Sequence, residues 1–197
     1  VVAARGAIER SGVDPKQIDQ VVIGNVIQTS KDAIYFARHI ALKAGLPIET
    51  PALTVNRLCG SGLQAIVSAA QMLQLGEGQI ALAGGAENMT QAPHVIRGAR
   101  AGFKLGQSPQ MEDSLWEALV DSYVGCGMAI TAENLAEKYN LTREEVDAYA
   151  LRSQLAARKA QQAGLLAEEI VPVTVKDRKG NPVEVTQDEG IRDTSLE

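Results

Sequence analysis

The residue in this chain best suited to covalent chemistry is Cys59. It lies in Val55-Asn56-Arg57-Leu58-Cys59-Gly60-Ser61-Gly62-Leu63-Gln64-Ala65, where a strand-like run gives way to helical spacing. A thiol at a helix N-terminus meets free backbone N–H groups and the positive end of the helix dipole. Both stabilise a thiolate. The same N–H groups can hold an oxyanion developing on a bound carbonyl. Gly60 and Gly62 remove side chains that would block close approach of a ligand or another backbone. The arrangement suits a thiolate acting on an acyl carbonyl. The alternative is a free cysteine that packs as a small apolar residue.

Other reactive residue types carry weaker signals. His39 lies within a helical pattern, Ala37-Arg38-His39-Ile40, and reads as structural or surface. His94 lies in a long irregular stretch and reads as a solvent-facing residue. Cys126 reads as a small residue filling space. Arg97 and Arg100 suit phosphate contacts or surface salt bridges. Arg143, Glu144 and Glu145 open a helix, and Arg152, Arg158 and Lys159 read as a solvated face.

The elements that must position Cys59 follow from periodicity. Residues 1–10 read as the end of a helix, with Val1, Ala4 and Ile8 on one face, closed by Ser11-Gly12. Asp14-Pro15 starts a short helical turn. Val21-Val22-Ile23, with Val26-Ile27, reads as a buried strand. Residues 32–44 return to helical spacing and stop at Gly45. Residues 52–58 form a second strand. Residues 60–75 form a third helix, with Leu63, Ile66, Ala70 and Leu73 along one face. Residues 79–84 form a third strand. Alternation at this spacing predicts an α/β unit with a largely parallel sheet.

The pattern changes after Gly85. Residues 88–112 show little periodicity, and a loop of that length inside a compact domain is usually functional or disordered. Thr131 is placed to cap a helix over 132–139. Thr142-Arg143-Glu144-Glu145 is a capping box, and its helix runs to about Gly164. Ile170–Lys176 and Val183–Thr186 read as a hairpin.

Composition narrows the classes. The chain has 197 residues, 45 % of them hydrophobic and 22 % charged, which is ordinary globular content. No apolar run is long enough for a transmembrane helix. Two cysteines are too few for a disulfide framework or a zinc knuckle. A net charge of −5 argues against nucleic-acid binding. Aromatic residues are only 4 %, against 28 Ala and 18 Gly, which favours tightly packed layers. The chain opens on Val1 without Met, inside a helical pattern, and we expect 197 residues to be less than the natural length.

Asn56-Arg57-Leu58-Cys59-Gly60-Ser61-Gly62 resembles the nucleophile motif of the thiolases, the acyl-CoA acyltransferases that make or cleave 3-ketoacyl-CoA. The resemblance continues through Ala83-Gly84-Gly85-Ala86-Glu87-Asn88-Met89, Gln91-Ala92-Pro93 and Lys104-Leu105-Gly106. It returns at Met128-Ala129-Ile130-Thr131-Ala132-Glu133-Asn134-Leu135-Ala136, Glu169-Ile170-Val171-Pro172-Val173 and Asp188-Glu189-Gly190-Ile191-Arg192. It covers essentially the whole chain. The stretch 91–136 is most similar to the 3-ketoacyl-CoA thiolase branch.

The resemblance implies the thiolase αβαβα layered fold, here incomplete. Residues 1–88 would be the N-terminal domain core without its first strand. Residues 89–197 would be a loop domain that covers the active site and binds CoA. Cys59 would carry the acyl group as a thioester, with its own N–H in the oxyanion hole. Met128 would line the pantetheine and acyl tunnel. Arg192 would contact the adenine and phosphate end of CoA, with Thr194 nearby. Arg suits both phosphate and adenine. Coenzyme A enters as a substrate, and no metal or redox cofactor is implied. The family forms dimers and often tetramers. Few cysteines fit a cytoplasmic or mitochondrial-matrix setting.

The chain also departs from the family pattern. Many biosynthetic members have His where Gly127 stands, which favours the degradative branch. Arg192-Asp193-Thr194 is one residue shorter than usual. The activating His, the second reactive Cys and the oxyanion-hole Asn fall outside this chain, so the 197 residues alone are expected to be inactive. Two other readings are open. One is a related cysteine-dependent condensing enzyme of the ketoacyl synthase type. The other is a noncatalytic CoA-binding or oligomerisation module.

Overall fold

The computed structural model describes residues 1–196. The chain divides into two compact units, residues 3–128 and the segment from Ala129 onward. At the centre of the first unit is a three-stranded parallel sheet of β1 (Gln20–Gly24), β2 (Ala52–Val55) and β3 (Ala81–Gly85), in the order β2-β1-β3. Helices α1 (Val2–Ser11), α2 (Phe36–Ala44) and α3 (Ser61–Gln74) alternate with these strands. This is the predicted α/β unit.

The middle strand organises the layers because alternate side chains leave it on opposite faces. Val21 and Ile23 enter a cluster with Ile8, Ala37, Ile40, Ala41 and Leu46, which brings α1 and α2 onto one face of the sheet. Val22 points the other way, against Ala65 and Ala69 of α3. Helix, sheet and helix therefore stack as three layers, with β1 buried on both sides. Burial on both faces suits an all-β-branched run in a parallel sheet. Thr54 of β2 links two layers, since its Oγ1 accepts from the Ala37 N–H at 3.2 Å. That N–H lies in the first turn of α2, where intrahelical partners are missing.

The predicted apolar face of the third helix is not the one that meets the sheet. Leu63 and Ile66 are 70 % and 55 % exposed, Ala70 is exposed, and Leu73 is half-buried. The buried residues are Ser61, Ala65 and Ala69, four apart along one side. The reason is distance. A Cβ on Gly24 would lie 2.5 Å from the carbonyl carbon of Ser61 and 2.8 Å from the Gly62 nitrogen. The helix touches the end of β1 backbone to backbone, so only small residues fit along that side.

Two further expectations change. Residues 88–112 are not without structure. β4 (His94–Ile96) pairs antiparallel with β5 (Met111–Asp113) and closes residues 97–110 into a loop. The Arg97–Glu112 ion pair, at 2.7 Å, sits at its base. After a short helix α4 (Ser114–Leu119), β6 (Val120–Asp121) and β7 (Cys126–Gly127) form a small hairpin. Helix α5 (Met128–Tyr139) starts directly from it, so Thr131 lies inside the helix and does not cap it.

In the second unit, α6 (Arg143–Gln162) opens on the predicted capping box. Thr142 Oγ1 accepts from the Glu145 N–H, and Glu145 accepts from the Thr142 N–H. β8 (Val173–Lys176) and β9 (Pro182–Val185) form the predicted hairpin. Asp177 organises its turn by accepting from the Asn181 side-chain amide and from the backbone N–H groups of Asn181 and Lys179, and these bonds lower its pKa.

Asp19 does similar work before β3. It accepts from the N–H groups of Gln79 and Ile80, which holds its carboxyl below the ordinary aspartate range. Gly78 packs so closely that a Cβ there would lie 2.6 Å from Asp19 Cβ. A depressed folded-state pKa stabilises the fold above the unfolded value, and that stability is lost as pH falls through the folded value. Melting curves of the parent and Asp19→Asn, from about pH 3 to 7, should show a gap in Tm at neutral pH that closes on acidification. Gly24→Ala forces backbone against backbone and should destabilise the protein by about 1–3 kcal/mol in chemical denaturation.

Candidate active site

Parallel strands deliver their C-terminal ends to one edge of the sheet, and loops from that edge converge. In this chain three of them start at Gly24, Val55 and Gly85, which the strand register aligns. The loop after Val55 carries Cys59.

A short turn leads from β2 to Cys59. Asn56 Oδ1 accepts from the Leu58 N–H at 2.9 Å, an Asx turn. Leu58 then takes φ 49°, a left-handed conformation uncommon for a residue with a side chain. Ser61, the first residue of α3, ties the turn from the other side. Its hydroxyl accepts from the Arg57 N–H at 2.9 Å and donates to the Leu58 carbonyl at 2.6 Å. The Gly60 and Ser61 N–H groups donate to the carbonyls of Arg57 and Leu58. Leu58 thus keeps its unfavourable φ because several bonds determine it together.

These bonds set Cys59 at a sharp strand-to-helix bend, two residues before α3, with its side chain exposed. The glycines divide the work differently from the expectation. A Cβ on Gly62 would meet nothing within 4 Å, so that side of the bend is open. The close backbone approaches belong to Gly24 and to Gly85, whose Cβ would lie 3.2 Å from the Gly24 carbonyl oxygen and 3.3 Å from Gly62 Cα. Gly24 ends a β-branched run and Gly85 ends the third strand. Position at a strand end was the signal that identifies them.

The loops flanking the bend are joined by Glu87. Its carboxylate accepts from the N–H groups of Val26 and Ile27, at 2.9 and 3.2 Å, and from the Asn25 amide at 3.0 Å. The Asn25 amide also donates to the Ala86 carbonyl. One acidic side chain therefore holds the segment after β1 against the segment after β3. Neither Asn25 nor the role of Glu87 is apparent from local sequence, because the bonds span about sixty positions.

The remaining singled-out residues fall into separate places. His39 stacks on Tyr35, with its Nδ1 3.5 Å from Asp32. His94 is an exposed residue of β4. Cys126 is half-buried in β7. Met128 begins α5 and is largely exposed. Arg192 and Thr194 are exposed residues of the second unit, in a stretch without regular secondary structure. Arg158, expected on a solvated face, is not free. It donates to the Arg192 carbonyl at 2.7 Å and pairs with Asp193 at 2.8 Å.

The family model for the thiolase N-terminal domain matches residues 1–197. The human mitochondrial 3-ketoacyl-CoA thiolase is 47 % identical over 195 residues, covering 99 % of this chain and 49 % of the relative. A crystal structure of that human enzyme superposes with a TM-score of 0.95 at 48 % identity, over 99 % of this chain and 49 % of the other. A second, in complex with CoA, gives 0.93 at 47 %, over 99 % and 48 %. The chain thus spans about half the length of the relatives it matches. With its layered α/β fold and its cysteine at the strand-to-helix bend, this chain belongs to the thiolase family.

Proposed function

We propose that the protein carrying this chain is an acyl-CoA acyltransferase that cleaves 3-ketoacyl-CoA with CoA, or runs the reverse condensation. The observation that carries the reading is the bend at Cys59, pinned by Asn56, Ser61 and the Gly24 contact within a chain of this family. The human relative bears the name 3-ketoacyl-CoA thiolase, and its structure in complex with CoA supports CoA as the substrate. That relative is mitochondrial by name, which supports a matrix setting for a eukaryotic protein and the cytoplasm for a bacterial one.

In this reading the Cys59 thiolate adds to the 3-keto carbonyl. The bond between C2 and C3 of the substrate breaks, and its electron pair takes a proton as acetyl-CoA leaves. The shortened acyl group rests on the sulfur. The thiol of a second CoA then attacks this thioester, and Cys59 is released. Two modest barriers replace one high one. The exposed sulfur lets a long thioester reach it. The Cys59 N–H at the helix entrance would serve the oxyanion. Residues 1–88 supply the nucleophile, and residues 89–197 supply contacts to CoA through Met128, Arg192 and Thr194. Coenzyme A is then a substrate and no resident cofactor is required.

The exposed apolar side of α3, with Leu63 and Ile66, supports the fuller layering of the family. We assign its cover to the half of the relatives' length that this chain does not span. The same half would hold the base that activates Cys59. A homodimer or homotetramer is the proposed assembly, and sedimentation of the whole protein reads it directly.

Iodoacetamide should modify Cys59 in the whole protein, and acetyl-CoA should protect it. Peptide mapping that found Cys59 labelled equally with and without acetyl-CoA would remove the acyl-enzyme role. Cys59→Ala should lower kcat by roughly 10⁴-fold or more while leaving CoA binding in place. Binding without acylation of Cys59 in the parent protein would favour the noncatalytic module. A thiolysis assay on the isolated 197-residue polypeptide should show no turnover.

A further inference from the structure

Arg192 lies in a stretch without helix or strand, so its backbone groups have no regular partners. Both are nevertheless satisfied, and by the same helix. The Arg192 N–H donates to Gln154 Oε1 at 2.9 Å. The Arg192 carbonyl accepts from an Nη of Arg158 at 2.7 Å. Gln154 and Arg158 are four residues apart on α6, which puts them on one face, one turn apart. The same Arg158 nitrogen meets the Asp193 carboxylate at 2.8 Å. Arg158 is only 27 % exposed, although its partner Asp193 is almost fully so.

The pattern is a two-point clamp on one peptide segment. Its two anchors reach main-chain atoms of Arg192 and leave the guanidinium without an ion pair among the described residues. An irregular segment that must present a cation loses backbone entropy when a ligand orders it. A segment already held by a rigid helix loses less. We infer that Gln154 and Arg158 are positioning residues for Arg192, fixing its backbone so that its guanidinium is free to meet the phosphate and adenine end of a CoA thioester. This rests on the proposed reading of Arg192 as a CoA contact.

The test uses the whole protein and two substrates, a 3-ketoacyl-CoA and the matching 3-ketoacyl-pantetheine, which lacks the nucleotide end. Gln154→Leu removes the acceptor at similar shape, and Gln154→Glu keeps an acceptor oxygen. Gln154→Leu should raise KM for the CoA substrate about three- to tenfold, the loss of one hydrogen bond. Its kcat, and its KM for the pantetheine substrate, should stay at the parent values. Gln154→Glu should restore the parent KM. Arg192→Ala should raise KM for the CoA substrate, and adding Gln154→Leu should raise it little further.

If Arg192→Ala leaves KM unchanged, the reading of Arg192 fails and the clamp has nothing to position. If Arg192→Ala raises KM and Gln154→Leu does not, the positioning role alone is overturned. Equal KM increases for both substrates in Gln154→Leu, with a lowered Tm, would make Gln154 merely structural and overturn the inference as well.

Discussion

The first unit depends on one close approach, that of the end of β1 to the start of α3. Gly24 meets Ser61 and Gly62 main chain to main chain, and Gly85 closes on both Gly24 and Gly62. This contact decides which side of α3 faces the sheet, because bulky residues cannot follow a helix that starts so near. Ala65 and Ala69 follow at successive turns, and Val22 fills the space opposite them. Dense packing of small groups keeps dispersion contacts without requiring large side chains. It also sets where the helix begins, and so where Cys59 stands.

A second theme is how irregular backbone is held in place. Loops pair only part of their N–H and C=O groups main chain to main chain, and side chains take up others. Asn56 and Ser61 serve the bend at Cys59, Glu87 serves the segment after β1, and Asp19 serves the entry to β3. Gln154 and Arg158 serve the stretch at Arg192. At Cys59 and at Arg192 the polar side chains act on main chain where a reactive or charged side chain is displayed. The polar residues of this chain thus do more shaping than their scattered distribution suggests.

Much of this was legible in sequence where the cause is local. The β-branched run at Val21-Val22-Ile23, the capping box at Thr142 and Glu145, and the hairpin around Asp177 and Gly180 each carry their signal within a few residues. Cys59 could be placed at a strand-to-helix turn because its flanking glycines and helical spacing are adjacent. The face of α3 was not legible, since periodicity marks where large apolar residues lie and not which side a neighbouring strand can approach. The β4–β5 ribbon was hidden because its strands have three residues each and pair across a long loop. Thr131 carries a cap-forming side chain, but a hairpin ending at Gly127 starts the helix earlier. The role of Arg158 depends on a contact 34 positions away.

The glycine contact behind Cys59 has a consequence for how this region can vary. A lost side-chain contact can be repaired by a larger neighbour, but a contact made of missing side chains has no such repair. Any Cβ at Gly24 must push the α3 entrance aside, and the thiol moves with it. Mutational tolerance therefore differs sharply over a few ångströms. Leu63 and Ile66 are exposed and meet no such limit, whereas Gly24 ties the geometry of the bend at Cys59 to the integrity of the sheet, so that neither can change without the other.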